Sequence, residues 1–570
     1  MRNKLICALL ALCMLAIAAC GGAGGGGSAQ TTAAPATTAA TTTAAATTAA
    51  TTAATTTAAP AIDMMNAPWE APYPETITVT TANREMTSAI FPNGGNYDDN
   101  VWYDLIKDRL NIQMKNDWIS AEYETAMNLA IAAGNLPDIF YVKNPQFKQV
   151  VDAGLVMDIT AVHEKLASET LRTINNADPT VIGAAKINGK LYGQPRTGWG
   201  NNVDRPCFMW FRNDWMEALG YSSLDSLDDV ANIVRKMNEV YGTKGMGLDK
   251  TIDWILQIAP SWHAYPLIWV DTPNGIEYGG VQPEMKKALA HWAQWYAEGL
   301  IAPEFAAKDY DAMGQDIVNG VHGAFPMWQW AGWAFGANTV RNNGPEAWHR
   351  AYLVPTIDGK QQMVPLKFDN GDEVIVVNKN FAYPEAAIKL INMYVYINND
   401  AYPNDIKELK TYMDYLENDM QHFLPFRVNN PLGEYNQYLE TQWALAHDRD
   451  ESQFTIPVAL VKYTAACTWI DKQDPDGLGA AMQLGMPKIS AYAQTEPYHL
   501  NNWFIRSKMW GPSPEALLRV GSTLDDLLKE GYTKLIMGIE PMDYFDKLVE
   551  EWKSAGGAEV TAAVNKEYGK

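Results

Sequence analysis

The β-branched run Thr76–Thr81, TITVTT, predicts a strand. A loop, Ala82–Asn96, follows and turns at Gly94-Gly95. Val101, Leu105 and Leu110 recur at helical spacing over Asn100–Leu110, and Asn111–Lys115 reads as a short strand. Glu122–Ala133 predicts a second helix, stopped by Gly134, and Leu136–Val142, LPDIFYV, a third strand. Strands alternating with helices predict a parallel α/β sheet. Ligands of such sheets sit beyond the carboxyl ends of the strands. Asn83, Arg84 and Glu85 leave the first strand there, so they are cleft candidates.

Ile187–Gln194 predicts a turn and a strand, and Pro195–Asp204 a Gly/Asn loop carrying Arg196, Trp199 and Asn201. Phe208–Phe211 is an apolar strand and Arg212–Leu219 a helix ended by Gly220. Ser226 with Asp229 forms a capping-box pattern that opens Leu227–Tyr241. Thr251–Val270 holds Trp254, Trp262, Tyr265 and Trp269 but no clear period. Met285, Ala288, Leu289, Trp292 and Tyr296 make a helical stripe that reads as core. Glu373–Val377 is a strand, and Pro384 starts a helix running to about Asn398. The C-terminal third is mostly helical. Ser513-Pro514-Glu515 opens one helix, and Ser522 with Asp525 repeats the capping pattern. Gly556-Gly557 separates Pro541–Ala555 from Ala558–Tyr568.

One stretch breaks the pattern. In Phe325–Phe335, FPMWQWAGWAF, Trp328, Trp330 and Trp333 crowd together. A strand buried on both faces favours Val, Ile and Leu. Trp328 and Trp330 alternate, so in an extended chain they share a face and Gln329 takes the other. Flat rings with N–H donors suit a wet, ring-shaped ligand; a large aromatic core cluster is the competing reading. The surrounding features favour the ligand.

Composition adds the compartment. Met1–Cys20 has Arg2 and Lys4 before the apolar run Leu5–Ile17, the form of a secretory signal. Gly21–Pro60 is Gly-rich and then almost pure Thr and Ala, so it cannot offset its own chain entropy and is expected to act as a disordered spacer. The chain carries 44 Lys+Arg against 66 Asp+Glu, a net charge of −22. That argues against nucleic acid or an anionic lipid surface as partner. About 500 residues remain after the spacer, more than one core usually covers, so two lobes are expected. Cys207 and Cys467 lie outside the leader and are expected to stay free. The 20 Trp and 27 Tyr serve sugar clefts and aromatic cores alike.

Ile17-Ala18-Ala19-Cys20 resembles the bacterial lipobox, which implies a diacylated Cys20 and a membrane-tethered extracellular protein. The stretches DNVWYDLIKDRLNI (Asp99–Ile112), AIAAGNLPDIFYV (Ala130–Val142), NGKLYGQP (Asn188–Pro195) and MWFRNDWMEALGY (Met209–Tyr221) resemble the solute-binding lipoproteins of ABC importers of oligosaccharides, LplA-like branch. So do Lys286–Phe305, Gly371–Asn392 and Tyr532–Gly557, in the same order. The resemblance implies an α/β, two-lobe, periplasmic-binding-protein-like (type II) clamp with an interlobe cleft and a largely helical C-terminal third. It implies a signal over 1–19, a lipidated Cys20 with linker over 20–68, a first lobe of 69–192 and 365–419, and a second of 193–364 and 420–570. A monomer that captures an oligosaccharide and passes it to an ABC permease is expected, with no cofactor and no catalysis. Trp199, Trp262, Trp328, Trp330, Trp333 and Trp510 are the expected stacking residues, and Glu85, Arg196, Asn201, Gln329 and Asp369 the expected polar contacts. Arg212 is expected to make a structural bond. Some relatives carry a calcium loop; Ile174–Asn188 lacks its acidic alternation, and Asp471, Asp474 and Asp476 depart from the spacing, so no metal is expected.

A glycoside hydrolase would also be Trp-rich and acidic, but no local motif singles out a carboxylate pair. A surface adhesin would suit the stalk. Neither HExxH, GxSxG nor a P-loop occurs.

Overall fold

The computed structural model describes residues 63–569 apart from 87–90, 92–93, 178, 198–205, 367–372, 400–423 and 425. The leader, Cys20 and most of the spacer lie outside the described residues, as do Trp199, Asn201 and Asp369.

β1 (Ile77–Arg84) and β2 (Ile112–Ser120) pair in parallel, joined by the helix Val101–Leu110. Asn100 caps that helix, its side chain accepting from the amides of Trp102 and Tyr103, both at 3.1 Å. Gly134 ends the next helix, Tyr123–Ala133, at φ 68°, which only glycine adopts at little cost. β3 (Ile139–Lys143) departs from the expected parallel run. It is antiparallel to β13 (Glu373–Val377), which returns from the second lobe and also pairs with β6 (Gln194–Pro195). Between β1 and the start of β3 the links are side-chain bonds: the Thr80 amide donates to Asp138 Oδ2 at 2.9 Å, and the Asp138 amide donates to Thr80 Oγ1 at 3.0 Å. β4 (Lys186–Ile187) and β5 (Lys190–Leu191) form a hairpin, turned by Asn188 and Gly189 at φ 52° and 79°.

The second lobe is built on β7 (Phe208–Arg212), with antiparallel neighbours β10 (Ala324–Met327) and β11 (His349–Leu353). β8 (Trp269–Thr272) and β9 (Gly275–Tyr278) form a separate hairpin, and β12 (Val364–Leu366) pairs with β14 (Phe504–Arg506). The capping box at Ser226 forms: Oγ accepts from the Asp229 amide at 3.2 Å, and Asp229 returns an acceptor to the Ser226 amide at 2.9 Å. Ser522 and Asp525 cap nothing, because the helix Glu515–Ile536 runs straight through them. Its apolar period continues across that point, with Leu524, Leu528, Tyr532 and Leu535 all buried. Gly556, at φ 122°, kinks the chain before Ala558–Tyr568.

Two main cores result. One takes buried residues from Met64 to Leu191 and from Val374 to Val428. The other takes them from Cys207 to Val354 and from Ala516 to Val564, with a satellite cluster reaching Ala491. The chain therefore changes core after β6, after β12 and after Val428. The reason is pairing: Gln194–Pro195 adds to β13, and Val364–Leu366 to β14. Cys207 and Cys467 are free. Among the described residues no helix is long and apolar enough to cross a membrane.

Candidate functional site

β10 is buried along its whole length and ends at Met327. The chain then turns and enters a helical segment at Gly332. Trp328 and Trp330 emerge from that turn half-buried, and Gln329 points the other way and is buried. Trp254, on the short helix Asp253–Gln257, stands edge-on to both indoles, 5.5 Å and 85° from Trp328 and 5.9 Å and 71° from Trp330. Tyr310 tilts against Trp254 at 6.5 Å. Edge-to-face pairs set the positive edge of one ring against the negative face of another, so the cluster fixes its own ring planes, at about 0.5–1.5 kcal/mol per pair.

The opposite side of this turn is held by one carboxylate. Glu434 is buried near the start of the helix Gly433–Ala446. Gln329 Nε2 donates to it at 2.8 Å, Tyr492 Oη at 2.6 Å and Gln483 Nε2 at 3.4 Å. Lys462 Nζ, at 3.5 Å, supplies the counter-charge. Gln483 Oε1 in turn accepts the indole N–H of Trp333 at 2.9 Å. Glu434 thus positions both Gln329 and, through Gln483, Trp333. The Trp333 ring is exposed and lies on Gly479, where an added Cβ would stand 2.7 Å from it. Glycine is required there by close approach.

In the first lobe Arg196 is buried. Its guanidinium pairs with Glu373 and lies 4.3 Å from the centre of the Tyr141 ring. Tyr141 stacks flat on Tyr123, with centroids 4.2 Å apart and planes 2° apart. Burial pushes the Tyr141 phenol up to about 12, with Arg196 pulling the other way. Burial and then repulsion by Arg196 bring Arg427 down to about 10, which leaves it charged at neutral pH. Backbone bonds join these segments: Arg196 N–H donates to Glu373 O at 2.8 Å and Thr197 N–H to Arg427 O at 3.1 Å. Thr197 Oγ1 donates to Asn429 O at 3.0 Å and accepts from the Asn429 amide at 2.7 Å. Arg196–Thr197, the head of β13 and the Arg427–Asn429 segment are therefore tied together.

A profile of bacterial extracellular solute-binding proteins matches residues 102–395, just over half of the chain. The chain belongs to that family. This solute-binding protein is 22% identical to lipoprotein LipO of Bacillus subtilis over 80% of its own length and 86% of that protein's. It is 20% identical to the polygalacturonan/rhamnogalacturonan-binding protein YtcQ of the same organism, over 79% and 84%. Among solved structures it resembles the alginate-binding protein AlgQ2 without calcium ion, with TM-score 0.58 and 14% identity, covering 88% of this chain and 100% of that one. It also resembles an HMO-binding, ABC-transporter-associated solute-binding protein from Bifidobacterium longum infantis, with TM-score 0.55 and 14% identity over 87% and 99%. These likenesses establish the two-lobe, periplasmic-binding-protein-like fold.

The solute-binding protein gathers only part of the expected residue set. Trp328, Gln329, Trp330 and Trp333 belong to one unit. Trp262 does not: it is buried against Trp292 and Trp295 with its N–H on His291 Nδ1 at 2.7 Å, which leaves no ring face for a ligand. Trp510 lies apart, half-buried under Arg506 at 5.1 Å. Glu85 is exposed, with its amide on Ser120 O. Asn83 and Arg84 extend β1 rather than a loop; Asn83 is buried on Asn116 at 2.8 Å, and Arg84 pairs with Glu124. Arg196 is engaged in its ion pair. Arg212 makes its structural bond to Asp214, with contacts of 2.9 and 2.7 Å. Asp476 pairs with Arg341 and Asp471 with Arg449, while Asp474 caps a turn. Sequence reasoning missed Trp254's place in the unit, and it missed Glu434, Gln483 and Tyr492 altogether. Trp254 lay in an aromatic run with no period to orient it. Glu434 sits in an ordinary helical stretch, 105 residues beyond its partner Gln329.

Proposed function

We propose that this protein captures an oligosaccharide between its lobes and delivers it to an ABC permease at the outer face of the cell membrane. The observation that carries the reading is the edge-locked set Trp254, Trp328 and Trp330, backed by Gln329 and Trp333 on Glu434. Rings fixed in advance offer their flat faces to sugar C–H groups without a further ordering cost. The names of the relatives point the same way, since alginate, polygalacturonan and human milk oligosaccharides are all carbohydrates. Trp199, Asn201, Asp369, Glu85 and Trp510 complete the proposed set, with Cys20 as the lipidated tether. The protein acts as a monomer of the LplA-like branch, with lobes near 69–192 with 365–419, and 193–364 with 420–570. Closure gains affinity because the sugar bonds both lobes only when they meet. No bond is broken, and none of the described geometry favours a hydrolase or an adhesin over this reading.

A glycan panel read by thermal shift tests it, since a ligand that binds only the folded state raises Tm. Saturable binding of an oligosaccharide with tryptophan quenching and no product release is expected. Release of shorter sugars would make the protein an enzyme, and hits confined to peptides or amino acids would overturn the reading.

A further inference from the structure

Trp254 is carried into the aromatic set by an unusual piece of backbone. The residue that opens its helix, Ile252, has φ 53° and ψ 9°, in the left-handed region. A β-branched side chain crowds the main chain there, and a residue of that kind at positive φ is a genuine outlier. Among the described residues Ile252 is the only β-branched one so placed; the other non-glycine residues at positive φ are Asn, Asp, His, Arg, Gln and Lys. Residues that open helices ordinarily take an extended backbone and lend a side-chain acceptor. Ile252 does neither.

Such a residue persists only where its surroundings over-determine it. The Ile252 side chain is wholly buried. Its amide donates to Asp249 O at 3.1 Å, and its carbonyl accepts from the Leu256 amide at 3.1 Å. The buried Asp249 carboxylate accepts from the Thr251 amide at 3.2 Å and from the Thr251 hydroxyl at 2.6 Å. Thr251 Oγ1 accepts in turn from the Asp253 amide at 3.3 Å, and the Lys250 amide donates to Lys308 O at 2.7 Å. Every residue from Asp249 to Asp253 is pinned. The helix that follows, Asp253–Gln257, buries Ile255 and Leu256 and leaves Trp254 half-buried. With Trp328, Trp254 lines a cavity of about 330 Å³. Open space on that side gives the indole nothing to pack on. Its place therefore comes from the backbone that carries it and from its ring contacts to Trp328, Trp330 and Tyr310.

We propose that Ile252 is a positioning residue of the sugar site: its left-handed backbone, fixed by the Asp249–Thr251 turn, sets Trp254 against Trp328 and Trp330 before a sugar arrives. The strained turn removes an ordering cost that the ring would otherwise carry on binding. The assignment rests on the sugar-binding reading above and adds the residue that preorganises it.

Ile252→Gly and Ile252→Ala, compared with each other, test this. Both delete nearly the same buried side chain, so their difference reports the backbone. Glycine adopts positive φ freely and alanine does not. Ile252→Gly should therefore be the more stable in urea, by about threefold in the folding equilibrium constant, the reverse of their order in regular secondary structure. Binding should run the other way. A freer backbone loosens Trp254 in the unbound protein, so Ile252→Gly should bind about two- to fivefold more weakly than Ile252→Ala. Calorimetry with trigalacturonate, an alginate trisaccharide and lacto-N-tetraose reads that difference. Fluorine NMR of protein labelled with fluorotryptophan reads the ring without any sugar, the Trp254 line being assigned by its loss in Trp254→Phe. A sharp line is expected in the parent protein and in Ile252→Ala, and a broadened one in Ile252→Gly. Thr251→Val keeps the bulk of an exposed residue and removes both side-chain bonds of the turn. It should broaden the same line, Thr251→Ser should restore it, and the pair serves where neither Ile252 variant folds. A glycine variant less stable than the alanine variant, equal affinities with equal Trp254 lines, or a sharp line in Thr251→Val would each overturn the proposal and leave the sugar reading standing. Failure of the parent protein to bind any of the three sugars would count against that reading instead, and the Trp254 line would then decide the role of Ile252 by itself.

Discussion

Glu434 shows how much one buried side chain can organise. Gln329, Gln483, Tyr492 and the Lys462 ammonium are among the groups that converge on it, and a buried carboxylate needs such partners to offset its lost hydration. Truncation to Ala would leave Lys462, Tyr492 and Gln329 facing each other. Glu434→Ala should therefore cost about 3–5 kcal/mol in urea unfolding, as when one partner of a buried ion pair is removed. Glu434→Gln keeps the shape and one acceptor and should lose less. If both variants unfolded like the parent protein, the network would not be holding the turn. Gly479 offers a second test at this scale. A Cβ there meets the Trp333 ring, so Gly479→Ala should displace the indole from Gln483 and cost about 1–3 kcal/mol of overpacking strain. The near-ultraviolet circular dichroism of the exposed tryptophan should change with it. The sequence exposed half of this site. Alternation alone put Trp328 and Trp330 on one side and Gln329 on the other. It could not supply Trp254 or Glu434, because their places depend on contacts made across the fold and not on local period.

At the scale of elements, most short-range signals were readable, Ser522 with Asp525 excepted, and long-range pairing was not. Asn100, Gly134, Ser226 and Gly556 mark ends and kinks through bonds to near neighbours or through their own backbone freedom. β13 pairs with β3 across a whole intervening lobe, and no local pattern announces that. One element carries a pH signature. His499, in the helix Ala491–Asn501, stacks on Tyr435 at 3.9 Å, and burial pushes it down to about 4. Its ordinary value is 6.5, so the unfolded chain binds more protons than the folded one between those limits. The stability it contributes is fully present above pH 6.5 and is lost as pH falls toward 4, about 3 kcal/mol in all. His349, buried on β11 and pushed well down by burial and by Arg212, acts in the same sense. His499→Phe keeps the stack and removes the proton. The gap in unfolding free energy between pH 7 and pH 4.5 should be smaller in that variant. An unchanged gap would mean that His499 does not stay neutral in the folded protein.

For the molecule as a whole, length announced two lobes, but the residues where the chain changes lobe were set by strand pairing that the sequence did not display. At that junction Arg196 ties the first crossing to Glu373 at the head of β13, and Thr197 ties it to Asn429 in the third. These bonds tie the first crossing to the head of β13 and to the Arg427–Asn429 segment. Thr197→Val isolates the effect, because valine nearly matches threonine in shape but neither donates nor accepts. Two hydrogen bonds vanish and the Asn429 amide is left unpaired, a cost of about 1–3 kcal/mol. If that cost is local, amide exchange at Asn429 should quicken by about tenfold or more, at 1.4 kcal/mol per factor of ten, while exchange in β3 and β7 stays as it was. If exchange quickened equally in both lobes, the bonds would serve global stability and not the junction. The same variant separates junction from site in binding. Its Trp254–Trp328–Trp330 set is untouched, so a loss of sugar affinity in Thr197→Val, with tryptophan quenching at saturation unchanged, would place the coupling of the two lobes at these bonds. Unchanged affinity would show that closure does not depend on them.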